Sequence, residues 1–134
     1  MRPLDILSSS VYGVDMAKRG MQEATFLILT ALAGGAQHGY GIIADIEVIS
    51  EGRVRLQAGT LYAALDRLRD DGLIEVDREE IVDSRLRRYY RLTSGGGASL
   101  AEEAQRLSAH VRTALSRLHL SPDPPRGGVG SVRG

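Results

Sequence analysis

Between Ser84 and Arg91 the chain carries Arg85, Arg87, Arg88 and Arg91 with no acid among them. A guanidinium is a planar, permanently charged fork that pairs in two-point fashion with phosphate or with a guanine edge. Upstream, Thr60 and Tyr62 place two hydroxyls close together, Arg67 follows in the same segment, and Tyr40 stands just after a glycine. Such hydroxyls can meet a phosphate oxygen or a base edge. These residue types suit recognition of a polyanion.

Bond-making chemistry finds little support. The sequence has no P-loop, no GxSxG and no HExxH, and Ser94-Gly95-Gly96-Gly97 lacks the Lys-Ser/Thr that would make it a phosphate cradle, so it reads as a linker. There is no cysteine, which excludes thiol catalysis, cysteine-ligated metal and disulfides. His38, His110 and His119 do not share a metal-ligand spacing. No metal, cofactor or enzymatic activity is expected.

Hydropathy supplies the elements that must position these residues. From about Met16 to Ala33 the pattern is helical, with Phe26, Leu27, Ile28, Leu29 and Leu32 forming a broad apolar stripe, and Gly34-Gly35 ends it. A second helix follows His38-Gly39, with Ile42, Ile43, Ile46 and Ile49 at helical spacing and Gly52 closing it. A third runs from about Ala58 to Asp71, with Leu61, Leu65 and Leu68 on one face and Gly72 as its stop. Two strands are expected at roughly Leu73–Glu79 and Arg85–Leu92, with a turn around Val82-Asp83-Ser84. A last helix is expected over 98–120. Residues 1–15 read as a loose arm and 121–134 as a disordered tail. The fold class is therefore mainly α with a small two-stranded antiparallel wing, a winged helix-turn-helix over 16–93 followed by the last helix.

In the third helix, a core-facing leucine stripe leaves Gly59, Thr60, Tyr62, Ala63, Asp66, Arg67 and Asp70 on or near the open face. Small residues at its start (Ala58, Gly59, Ala63, Ala64) would let the backbone approach a groove. A plain amphipathic surface helix with Tyr62 half-buried fits the same pattern. Tyr40 can likewise be a phosphate contact beside a helix N-terminus or an inter-helix packing residue with His38 as a cap.

On the strand, Tyr90 and Leu92 should face the core and Tyr89 and Arg91 the other side. Glu75, Asp77, Glu79 and Glu80 on the incoming strand should pair with arginines near the base of the wing, leaving Arg85 and Arg87, with Arg88, for DNA near the tip. Leu86 is exposed on this reading, and only insertion into a groove or a partner surface accounts for it.

These blocks, in this order, resemble the winged-helix domain of PadR-type transcriptional regulators. His38-Gly39-Tyr40-Gly41 is similar to a signature at the start of that family's second helix, and Gly59-Thr60-Leu61-Tyr62 to its recognition helix. The resemblance covers roughly half the chain and implies a regulator, expected to be a repressor, that binds an inverted repeat of double-stranded DNA as a homodimer; the start Met-Arg-Pro-Leu-Asp lacks the apolar run of a signal peptide, so a cytoplasmic location is expected. Alanine stands at positions 58 and 63, where the family often has proline, and Ser84-Arg85 replaces a usual Gly-Arg.

In the last helix Ala104, Leu107, Val111, Ala114 and Leu118 alternate at spacings of three and four, with Leu100 and Leu115 widening the stripe. That is the pattern of a self-association seam, although packing back on the first helix would also bury it. The resemblance further implies a small-molecule effector cavity between first and last helices, here matching Phe26, Leu107, His110 and Val111. Drug-binding members stack ligands on a tryptophan; this chain has none, so a smaller or aliphatic ligand is expected.

Composition sets the outer bounds. The 134 residues are 43% hydrophobic, enough for one domain core, and no apolar run approaches the ~20 residues of a membrane span. Formal net charge is +0, so DNA affinity must come from charge placement. That neutrality also suits a rival role, a winged-helix interaction module without sequence-specific DNA binding.

Overall fold

The computed structural model describes residues 20–120. The expectations placed on 1–15, 16–19 and 121–134 lie outside the described residues. Helix α1 (Glu23–Ala33) is followed by β1 (Gln37–His38), α2 (Gly39–Ile49), α3 (Ala58–Asp70), β2 (Ile74–Val82), β3 (Arg85–Leu92) and α4 (Ser94–Arg117).

α1 buries Leu27, Ile28, Leu29, Ala31 and Leu32, a stripe wide enough to sit at the centre of the core. It starts at Glu23 instead of near position 16. Gly20 adopts φ 89°, which a right-handed helix cannot carry through. The Met21 N–H just before the helix donates to the buried Glu103 carboxylate at 3.1 Å. Ile42 and Ile46 of α2 and Leu61, Ala64, Leu65 and Leu68 of α3 complete the helical core, and Ile74 and Tyr90 close it from the sheet. Ile49, grouped by spacing with the α2 stripe, is 38% exposed and lies at its rim. α3 ends as expected, with Gly72 at φ 76° and Leu73 N–H bonded back to Leu68 O at 3.0 Å.

The wing has three strands where two were expected. The order is β1-β3-β2, all antiparallel, because Gln37 and His38 pair with Tyr90 and Tyr89. A two-residue strand is too short to show alternation in sequence. β2 also continues three residues past Glu79 to Val82. A bulge between Val76 and Arg78 resets its alternation, so Glu79-Glu80-Ile81-Val82 does not read as period two. Val82 faces Arg85 across a two-residue loop in which Asp83 (φ 52°) and Ser84 (φ 64°) are both left-handed. That backbone matches the strand twist and fixes the register, at some strain for non-glycine residues.

The linker assigned to Ser94-Gly95-Gly96-Gly97 is the first turn of α4. Gly96 N–H donates to Thr93 Oγ1 at 3.0 Å, Thr93 Oγ1 donates to Gly72 O at 2.6 Å, and Thr93 N–H donates to Leu73 O at 3.1 Å. A Cβ at Gly96 would overlap the Leu73 carbonyl oxygen and come within 2.9 Å of its carbon. The glycine is there for close backbone packing. Leu100, one turn on, packs against the chain's own core instead of widening an open seam.

The described residues fall into two compact units, one ending at Glu103 and one beginning at Ala104, so the boundary lies inside α4 and not at the glycines. In the second unit Leu107 and Leu115 are half-buried, while Ala104, Val111, Ala114 and Leu118 are exposed.

Candidate nucleic-acid interface

The first unit brings the start of α2, the start of α3 and the tip of the wing around one groove of about 480 Å³, lined by His38, Tyr40 and Tyr62 and, from the wing, by Val82, Asp83, Arg85, Leu86, Arg87 and Arg88. Tyr40 is 68% exposed, which removes the inter-helix packing role for it. Gly59 and Thr60, in the first turn of α3, are both exposed, and nothing lies within 4 Å of where a Gly59 Cβ would stand. That turn is open to close approach. Arg67 is exposed further along the same helix and is not part of the groove lining.

Tyr62 is seated by Gly39. A Cβ there would overlap the Tyr62 hydroxyl and lie 2.6 Å from its Cζ. The ring is therefore laid against the start of α2, leaving the residue 42% exposed. Burial first, then the neighbouring Tyr90 and Tyr40, push its pKa upward, so the hydroxyl keeps its proton and can donate.

His38 occupies a place the sequence did not assign. It precedes α2 but makes no side-chain cap bond. Its ring instead tilts against Tyr89 at 5.4 Å between centroids, with Arg78 held 3.9 Å over the Tyr89 ring. Burial, then the charge of Arg87, lower the His38 pKa and keep the imidazole neutral at pH 7. Gln37, also unassigned from sequence, donates from Nε2 to Ala31 O and to Asp45 Oδ2, both at 3.0 Å, tying the end of α1 to α2. Neither residue shows up by periodicity: the His38 partner Tyr89 is remote in sequence, and Gln37 bonds outside any repeat to Ala31 and Asp45 on the two flanking helices.

The wing charges divide by position. Arg88 Nε donates to Glu79 at 2.8 Å, Arg91 to Glu75 at 2.8 Å and to Asp77 at 3.0 Å, and Arg78 to Asp77 and Glu80 at 3.0 Å each. Arg78 holds the Glu80 carboxyl below its ordinary range. Among the described residues Arg85 and Arg87 form no ion pair. Arg88 thus lines the groove while already engaged; Arg87 stands opposite Glu80 and its charge adds to the lowering of that carboxyl, but like Arg85 it makes no close ion pair and remains open to another partner.

The effector candidates Phe26, Leu107, His110 and Val111 are distributed over both units: Phe26 is half-buried in α1, and His110 is exposed, 3.2 Å from Arg106 Nη1 one turn back. Among the described residues no group of three side chains could hold a metal ion, and no helix is long and apolar enough to cross a membrane.

Three packed helices with a hairpin wing, the third helix open along its first turn, define a winged helix-turn-helix protein. The family of PadR-like transcriptional regulators matches residues 28–102, more than half of the chain, and the protein belongs to that family. It is similar to the transcriptional regulator Rv3488 of Mycobacterium tuberculosis, 44% identical over 61 residues, 46% of this chain and 56% of that regulator. The chain thus spans little more than half the length of that relative. Among solved structures, a PadR family transcription regulator from Clostridium difficile aligns at TM-score 0.57 with 25% identity, covering 70% of this chain and 95% of that one. Bacillus subtilis PadR in complex with operator DNA aligns at TM-score 0.55 with 25% identity, covering 62% and 47%.

Proposed function

We propose that this protein is a DNA-binding regulator that represses transcription as a homodimer on an inverted repeat. The carrying observation is the groove lined by Tyr40, Tyr62, Arg85 and Arg87, which brings together two hydroxyls and two guanidiniums that make no close ion pair. The first turn of α3, with Gly59 and Thr60, enters the major groove. Tyr40 and the α2 N-terminus take a backbone phosphate. Arg67 reaches a phosphate or guanine, and the wing arginines meet the adjoining backbone or minor groove. Neutral overall charge is compatible with this because Glu75, Asp77, Glu79 and Glu80 are engaged by arginines, leaving Asp83 as the acid of the wing turn.

The two copies meet along Ala104, Leu107, Val111, Ala114, Leu115 and Leu118. Val111 and Leu118 are 51% and 64% exposed in the single chain, apolar surface that a second copy would cover. Two recognition helices would then stand ~34–36 Å apart or a multiple of it. A small or aliphatic effector bound near Phe26, Leu107, His110 and Val111 would alter that spacing.

Binding selection with the full chain tests the reading. Specific, salt-sensitive binding to a two-fold symmetric site is expected, and Arg67→Ala/Arg85→Ala/Arg87→Ala, still folded, should lose it. Unchanged binding by that variant overturns the assignment of the residues. Leu107→Asp/Leu118→Asp should sediment as a monomer; an intact dimer rules out the seam.

A further inference from the structure

Ile81 and Leu86 are directly opposed across the wing hairpin and are 71% and 56% exposed. Register places them on the face that carries Tyr90. Moving outward along it, Val76 pairs with Tyr90 in the core, then Glu79 with Arg88 as an ion pair, then Ile81 with Leu86 in the open. Only the Val82-Asp83-Ser84-Arg85 turn lies beyond. An isolated aliphatic pair at the end of a hairpin is a liability in water, where sheet ends are ordinarily kept charged. Here it is retained beside two arginines that make no close ion pair, and Leu86 forms part of the same groove wall as Tyr40 and Tyr62.

The setting selects the occupant. The apolar surface is two side chains wide, bounded on its own face by Glu79–Arg88, while Arg85 and Arg87, on either side of Leu86 in sequence, alternate to the opposite face of the strand. That surface is far narrower than the apolar centre of a stable protein interface. An aliphatic tip flanked by guanidiniums matches the minor groove of a duplex, where an apolar side chain pries at a base step while arginines hold the adjoining backbone. We propose that Ile81 and Leu86 form a wedge that enters the minor groove beside the bases met by α3, with Leu86 leaning on a base step and Arg85 and Arg87 on the flanking phosphates. The inference rests on the DNA-binding reading above. It adds that DNA is bent at the wing, and that flexible pyrimidine–purine steps are preferred at a position where no hydrogen bond is made.

The test uses the full chain and a duplex obtained by binding selection, with 2-aminopurine placed under the wing and dyes at the two ends. Wild type should raise 2-aminopurine fluorescence on binding and shorten the end-to-end distance, a bend of at least about 20°. Ile81→Thr/Leu86→Gln should still bind, weakened by about tenfold or less, since its arginines and α3 are intact, but should lose both signals. Leu86→Ala serves as a second variant if the double substitution lowers the melting temperature. Specific wild-type binding without bending or unstacking overturns the wedge and leaves the DNA reading standing. So does a variant that keeps both signals. Loss of dimer mass in the variant shows a protein-facing patch and also overturns it. Failure of wild type to bind any duplex at low salt overturns the DNA reading itself.

Discussion

The base and the tip of the wing are built from the same residue types and put them to opposite uses. At the base, Arg78, Arg88 and Arg91 are locked to Glu75, Asp77, Glu79 and Glu80, and Gly96 of α4 is pressed on the Leu73 backbone. At the tip, Arg85 and Arg87 make no close ion pair among the described residues, although Arg87 stands opposite Glu80, and Ile81 and Leu86 are exposed. Composition alone cannot separate the two halves, because both are rich in arginine. The ion pairs do: Glu80, which stands opposite Arg87 in the register, is taken by Arg78 of its own strand. A neutral protein can thereby present a cationic edge.

The largest effect is expected at the base. Gly96→Ala drives a methyl into the Leu73 carbonyl, and backbone on both sides must move. Stability should fall by about 1–3 kcal/mol in denaturant titration. DNA affinity measured well below the midpoint should change far less, because no groove residue is touched. Loss of binding in a fully folded Gly96→Ala protein would blur the division.

His38 sits where base and tip meet, and its titration separates stability from binding. Burial and Arg87 place its folded-state pKa below the ordinary 6.5. The unfolded chain therefore takes up a proton at higher pH than the folded chain. The stability tied to neutral His38 is complete above about pH 6.5 and declines as pH falls through 6.5 toward the folded-state value. A phosphate in the groove acts in the other sense by favouring the protonated ring, so DNA binding should tighten over the same fall in pH. His38→Gln should flatten both profiles. A binding profile unchanged in His38→Gln would place the phosphate elsewhere.

The smallest effect is expected from Arg91→Ala. Its partners Glu75 and Asp77 are surface carboxylates, and such pairs contribute about 0–1 kcal/mol. A thermal melt should shift slightly and DNA affinity should hold.

Much of this organisation was legible in sequence. The three helix stripes, the glycine stop at Gly72, the hairpin turn at Asp83-Ser84 and the ion pairing at the wing base all follow from spacing and charge order. Three features did not follow. Gly95-Gly96-Gly97 has the composition of a linker, and only the Leu73 carbonyl, distant in sequence, shows that the middle glycine is a packing requirement. β1 is two residues long and carries no period. The roles of Gln37 and His38 depend on Asp45, Tyr89 and Arg87, partners that no local pattern predicts. Residue type singled out Tyr40, Tyr62, Arg85, Arg87 and Arg88, which line one groove, whereas the joints are set by backbone contacts that residue type does not reveal.

The central claim is that cations at the tip face DNA while those at the base do not, and the salt dependence of binding tests it most directly. With wild type, Arg85→Ala/Arg87→Ala and Arg91→Ala titrated on one selected duplex across a range of salt, each lost phosphate contact should reduce the log–log slope by about 0.9. The tip variant lacks two arginines in each of the dimer's two copies and should therefore lose about 3.6 in slope, and the base variant should keep the wild-type value. Equal slopes for all three proteins, or a larger loss for Arg91→Ala, would contradict the account.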